Sequence, residues 1–311
     1  MKAAQRLLHI LSYVCLIVVA GCTSDRPSWE SLSTSLQGQV AEFEGRVGYY
    51  VEDLEQGQTI AHDADSLFPT ASLIKVPIML ALFDRIERGQ LSYTDDVTFH
   101  DSLRYSRSDL IGKLESGSQV SLSKLVMLMI TTSDNTASLW LQELAGGGTA
   151  INAFLDAHGY PYTRVNSRTA GREADRAIFG WGQTTPREMA TMLKEIREAT
   201  LLGPAASEEM YRVLTRIFWN DEALSVLPPW IQAASKQGAV SDSRSEAVLV
   251  NGPEGDYVFA LITDGQTDTS WESDNAGYVL LRDFSRALYE WFAPNHPWSP
   301  SSVGREAFAG P

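Results

Sequence analysis

Apolar residues recur along this chain with two different periods, and the order of those periods sketches a fold. From Ala71 to Arg88 they return every three or four positions with charges on the opposite side, the pattern of an amphipathic helix. Residues 31–44 and Ser123 to Thr132 read the same way. Thr184-Thr185-Pro186, followed by Arg187-Glu188-Met189, is a capped helix start that runs to about Arg197. Strand-like runs at 46–53 and 58–63 flank Glu55-Gln56-Gly57 and predict a hairpin. Three more runs, at 230–237, 245–251 and 256–263, precede a last helix over 274–292. The middle of the chain reads as helix and loop throughout. The expected fold class is therefore α+β, an α/β sandwich: a five-stranded antiparallel sheet flanked by N- and C-terminal helices, with an inserted all-helical lobe.

The N-terminus changes the picture of where the chain resides. Lys2 and Arg6 precede an apolar run from Leu7 to Ala20, which ends in Val19-Ala20-Gly21-Cys22. A run of that length is short of the roughly 20 residues that a membrane-spanning helix needs, so it reads as a cleaved export signal. Val-Ala-Gly-Cys resembles the bacterial lipobox, which implies that Cys22 is lipidated and becomes the first mature residue. The expected organisation is a lipoprotein signal peptide at 1–21, a tether at 22–30, a folded domain at 31–293 and a Pro/Ser/Gly-rich tail at 294–311. The expected location is a bacterial cell membrane, with the domain facing the periplasm or the exterior.

Composition narrows the possible partners. The chain has two cysteines, Cys15 in the signal and Cys22, so no disulfide framework is expected. A formal charge of −14, more negative still after loss of Lys2 and Arg6, argues against nucleic acid as a partner. His9, His62, His100, His158 and His296 are scattered without metal-ligand spacing, so neither a metal nor another cofactor is expected.

Three short segments carry chemistry. Ser72-Leu73-Ile74-Lys75 puts a hydroxyl and an amine on one helix face, and the apolar run Val76 to Met79 can lower the lysine pKa by burial. Ser121-Leu122-Ser123-Lys124 has the same spacing and reads as a helix cap. Ser133-Asp134-Asn135 follows the apolar helix Leu125 to Ile130 and belongs in a helix-to-helix turn, whereas Ser273-Asp274-Asn275 reads as the cap of the last helix. Lys236-Gln237-Gly238 is the one Lys-x-Gly of the chain, and its glycine would let a substrate approach the strand backbone.

The order Ser-x-x-Lys, Ser-Asp-Asn, Lys-x-Gly resembles the penicillin-recognising serine enzymes, the class A β-lactamases and penicillin-binding proteins. Phe68-Pro69-Thr70-Ala71 before Ser72, the Thr-Thr-Pro helix start and Arg244-Ser245-Glu246 extend the resemblance over roughly residues 35–293. The resemblance implies that Ser72 attacks a carbonyl, Lys75 helps to deprotonate it and Ser133 relays a proton to the leaving nitrogen. It implies that Asn135 binds the substrate side-chain amide and that Lys236 supplies positive potential to Ser133 and the substrate carboxylate. The backbone N–H groups of Ser72 and Ala239 would form the oxyanion hole. Arg244 either assists the carboxylate or pairs with Glu246 or another acid at the surface. The implied substrate is a small β-lactam or a peptidoglycan-derived peptide.

Two departures bear on mechanism. The class A pattern of a loop glutamate followed four residues later by asparagine is absent from Ser167 to Arg176, where Glu173 is the only glutamate and reads as a solvated charge paired to Arg172 or Arg176. Acylation is expected; fast deacylation is not. Gln237 replaces the family's Thr or Ser, so its longer amide reshapes the carboxylate pocket or donates the same bond from farther out. The reading that follows is a β-lactamase-like hydrolase, with a D,D-peptidase and a non-turning-over binding or sensor lipoprotein as alternatives.

Overall fold

In a computed structural model of the chain, residues 26–300 are described; the signal, Cys15 and Cys22 lie outside them. Helix α1 (Trp29–Ala41) leads into β1 (Arg46–Asp53), β2 (Thr59–His62) and the two-residue β3 (Phe68–Pro69). The central part comprises α2 (Lys75–Glu87), β4 (Asp96–Thr98), β5 (Gln119–Ser121), α3 (Leu122–Thr131), α4 (Asn135–Leu144) and α5 (Gly147–Ala157). It continues through β6 (Arg164–Val165), α6 (Glu173–Phe179), β7 (Gly182–Thr184), α7 (Pro186–Glu198) and α8 (Pro204–Leu214). The chain then returns to β8 (Ala233–Val240), β9 (Ser243–Val250) and β10 (Tyr257–Asp264) and closes with α9 (Ala276–Phe292).

The five long strands form one sheet in the order β2-β1-β10-β9-β8, every pair antiparallel. Side chains alternate across a strand, and here both sets are apolar because both faces are covered. Val47, Tyr49, Val51, Phe259 and Leu261 meet α1 and α9 through Leu36, Phe284 and Leu288. Tyr50, Val258, Ala260, Ile262, Ala247 and Leu249 face the helical lobe, whose core includes Ile78, Leu125, Leu141 and Met192. This is the expected α+β architecture.

The expectation of helix and loop alone in the middle is corrected. Beta-paired segments occur there: a β3-β7-β6 sheet and a β4-β5 hairpin. They are only two or three residues long, too short for an alternating pattern to register. The first small sheet brings Pro69, next to the serine segment, against Gln183. Gly48 makes that junction possible, since a Cβ there would lie 2.4 Å from the Phe68 ring.

Candidate active site

The Ser-x-x-Lys segment does not begin as an α-helix. Ala71–Ile74 forms a 3-10 turn, and α2 starts at Lys75. A 3-10 turn eclipses side chains at i and i+3, which aligns Ser72 with Lys75 more closely than an α-helix would. Ala71 enters the turn at φ 43°, a left-handed conformation that costs a non-glycine residue about 1–3 kcal/mol. Ser133, in the turn between α3 and α4, has φ 59°. Two of the five non-glycine residues with positive φ among the described residues therefore lie in the two segments that meet at the site.

Lys75 is the meeting point. Its side chain is wholly buried, and Nζ lies 3.0 Å from Ser72 Oγ, 2.9 Å from Ser133 Oγ, 2.7 Å from the Ser133 carbonyl and 2.8 Å from Asn135 Oδ1. An ammonium has three protons to share among these oxygens, whereas a neutral amine can also accept a proton. Burial lowers the Lys75 pKa well below the usual lysine value, the neighbouring Lys236 lowers it further, and Asp134 and Asp109 oppose the shift. The neutral amine needed to take the Ser72 proton is thus favoured.

The Ser133 turn is held from below. Asp134 caps α4, its Oδ1 accepting from Ala137 N at 2.8 Å and its Oδ2 from Ile111 N at 3.0 Å. Asp109 Oδ2 accepts from both Thr136 N and Thr136 Oγ1. Ser133 Oγ bridges two amines, Lys75 at 2.9 Å and Lys236 at 3.2 Å. Lys236, also fully buried, has its pKa lowered to about 7 by burial, against the pull of Glu222 and Glu246.

Gly238 lets β8 lie against the serine turn, because a Cβ there would come within 2.8 Å of Thr70 O and 3.0 Å of Ser72 N. The edge strand β8 then runs beside Ser72 with Ala239 facing the opening. A cleft of about 400 Å³ results, lined by Ser72, Asn135, Ala239, Tyr105, Phe179 and Trp181 among others. The three sequence segments therefore converge within hydrogen-bond distance of one another.

Of the two roles expected for Arg244, the surface ion pair with Glu246 or another acid is corrected. Arg244 is fully buried, its guanidinium donates to the carbonyls of Val240, Ser243 and Ser270, and it lies 4.6 Å from the ring centres of both Trp271 and Tyr278. Glu246 is buried too and accepts instead from Ser235 Oγ and Ala223 N. The expected pairing of Glu173 with Arg172 or Arg176 is also corrected: Arg172 pairs with Asp175 at 3.0 Å, and the exposed Glu173 accepts from Gly171 N at 3.3 Å. Of the decoys, Ser121 occupies the cap position of α3 without a side-chain cap bond, and Asn275 caps α9 by accepting from Gly277 N.

Sequence reasoning missed Asp109, Tyr105, Phe179, Trp181 and the acid Glu222. Each lies in a segment without a local signature and becomes part of the site only through the tertiary fold.

The sheet with its two helical layers, and the cleft at the edge of β8, define the penicillin-binding-protein and β-lactamase fold. The chain belongs to the β-lactamase enzyme family, whose model matches residues 31–292. It is 27% identical over 262 residues to the β-lactamase AER-1 of Aeromonas hydrophila, covering 81% of this chain and 85% of the relative. A β-lactamase of Rhodobacter capsulatus is 25% identical over 276 residues, covering 83% and 87%. Among solved structures, that of PBP-A superposes with a TM-score of 0.76 at 25% identity, covering 86% of this chain and 97% of that one. The β-lactamase from Sphaerobacter thermophilus shares the fold with a TM-score of 0.75 at 23% identity, covering 87% of this chain and 100% of that one. These similarities make the chain a β-lactamase-like hydrolase.

Proposed function

We propose that this chain is a serine hydrolase that opens β-lactam-type amides through an acyl-enzyme on Ser72. The observation that carries the reading is a buried amine, Lys75 Nζ, 3.0 Å from Ser72 Oγ and 2.9 Å from Ser133 Oγ. Lys75 takes the Ser72 proton as the Oγ–C bond forms. Ser133 gives its proton to the departing nitrogen as the C–N bond breaks, and Lys75 returns a proton to Ser133. Developing charge on the carbonyl oxygen is met by the backbone N–H groups of Ser72 and Ala239. Asn135 holds the acyl side-chain amide, and the charge of Lys236 favours proton release from Ser133. Water then adds across the ester, its hydroxyl to the acyl carbon and its proton to Ser72. Export and lipidation at Cys22 would anchor this domain, 31–293, to a bacterial cell membrane, facing the periplasm or the cell exterior.

A second reading is favoured by the loop between β6 and α7. Its cleft-lining residues are Ile178, Phe179, Gly180 and Trp181, with no carboxylate among them, and Glu173 is exposed outside that lining. No base on that wall is set to activate the deacylating water. This supports a long-lived acyl-enzyme, as in a D,D-peptidase or an acylatable binding protein for cell-wall fragments.

Nitrocefin colour change, measured alongside the lifetime of a penicillin adduct by intact mass, separates the readings. Turnover of many equivalents supports the hydrolase. An adduct without turnover moves the assignment to the peptidase, which cleavage of a D-Ala-D-Ala peptide would identify, or to the binding protein.

A further inference from the structure

Lys236 has no proton left for a substrate. Its Nζ lies 3.2 Å from Ser133 Oγ, 2.8 Å from the Gln237 carbonyl and 2.7 Å from Gln237 Oε1, and an ammonium carries three protons. The third of these partners exists because residue 237 is a glutamine whose amide folds back along the edge strand. The face it turns to Lys236 is an acceptor, which repels a carboxylate rather than binding it.

The surroundings act in the same direction. Glu246 stands opposite Gln237 in the β8-β9 ladder, wholly buried, and Glu222 is buried near Lys236 with one carboxylate oxygen unpartnered. Asp242, in the β8-β9 turn, lines the cleft, as does Asp264 at the end of β10, where Arg46 pairs with it at 2.8 Å; no lysine or arginine is among the lining residues. Arg244 does not line the cleft: its Nη atoms donate to three backbone carbonyls, its Nε is buried without a partner, and its guanidinium lies against the Trp271 and Tyr278 rings. An anion brought here would lose its water and meet the Gln237 acceptor, while Glu222 and Glu246, whose pKa values burial raises to about 9 and about 7, supply no cation to offset that loss.

We propose that Gln237 is a specificity-determining residue that closes Lys236 to carboxylates, so that the cleft takes acyl donors whose leaving-group end carries an uncharged amide or ester instead. This rests on the acyl-enzyme reading of Ser72 given above.

The test compares acylation of the folded domain by benzylpenicillin and by its methyl ester, in the wild-type protein and in Gln237→Thr and Gln237→Glu. The same comparison is made for binding of two boronic acids that differ only in one carboxylate, which requires the nucleophile but no lactam opening. Thermal melts verify that each variant is folded. The wild type is expected to react with the ester at least as fast as with the acid. Gln237→Thr, which frees a proton of Lys236, is expected to shift the acid-to-ester ratio about 10- to 100-fold toward the acid, the worth of one charge-assisted hydrogen bond. Gln237→Glu is expected to keep the ester preference. A wild-type preference for the acid of tenfold or more, or a ratio unmoved by Gln237→Thr, overturns the proposal. If no lactam labels Ser72, the acyl-lactam reading fails, while the boronic acid ratio still decides the role of Gln237.

Discussion

Two buried lysines face one hydroxyl, and their different surroundings assign them different work. Burial and Lys236 both push the Lys75 pKa down, so its neutral form persists to lower pH than that of an exposed lysine. Acylation should therefore persist at neutral pH and fall in acid as Lys75 gains its proton. Lys236, with a pKa of about 7, loses its charge above that value, and the rate should decline again on the alkaline side. Single-turnover acylation of Ser72 against pH is expected to be bell-shaped, and a rate still rising at pH 9 would contradict the role given to Lys236. Lys75→Met removes the base while filling much of the same space, and should slow acylation by about 10²–10⁴-fold without loss of fold. The type and spacing of Ser72, Lys75, Ser133 and Lys236 were legible in the sequence because each belongs to a short motif. The commitment of Gln237 Oε1 to Lys236 was not, because which end of an amide faces which neighbour is decided by the edge of the sheet and by Ser133, more than a hundred residues away in the chain.

Among the elements, the turn between α3 and α4 does the positioning. Asp134 sits under it, 4% exposed, and ties the first turn of α4 to Ile111. Asp134→Ala removes a helix cap and leaves two backbone N–H groups without their partner, so a loss of about 2–4 kcal/mol is expected in urea unfolding. Acylation should fall as well, since Ser133 and Asn135 flank the capped position. A variant of wild-type stability would show that water replaces the carboxylate. Gly238→Ala is the complementary case: its Cβ would meet Thr70 O and Ser72 N, so the strand and the serine turn must part and acylation should drop more than stability. The long elements were readable from periodicity, as the near coincidence of the 46–53 run with β1 and of the 274–292 run with α9 shows. The 3-10 start at Ala71 was not readable, because an i, i+3 pair fits both helix types and the left-handed φ of Ala71 has no signature in its residue type.

On the scale of the whole molecule, one sheet separates two cores, and acidic groups are buried beside it. Burial raises the Glu222 pKa to about 9 and that of Glu246 to about 7, with mutual repulsion adding to the effect on Glu222. A carboxyl whose pKa is raised in the fold holds more protons folded than unfolded between its ordinary value and the raised one. Stability contributed by these groups is therefore present near pH 4.5 and is lost as pH rises. Lys236, at about 7, is protonated in both states below that pH and offsets part of the loss only above it. The melting temperature of Glu222→Gln should consequently fall less than that of the wild type between pH 5 and 7, and equal slopes would contradict the burial of an ionisable Glu222. Membership in the β-lactamase family and the order of the layers could be anticipated from the sequence, since three motifs and two periodicities agreed. The acidic backing of the site could not, because Glu222 lies in a turn and Glu246 in a strand, where charge alone suggests exposure.

The proposed function rests on Ser72, activated by Lys75, as the acylated nucleophile. Intact-mass spectrometry of the folded domain mixed with β-lactam acid and ester, followed by peptide mapping, tests it most directly. One adduct per molecule is expected, located on the peptide that contains Ser72, absent from Ser72→Ala and strongly slowed in Lys75→Met. An adduct that persists in folded Ser72→Ala, or that maps to another residue, would contradict it.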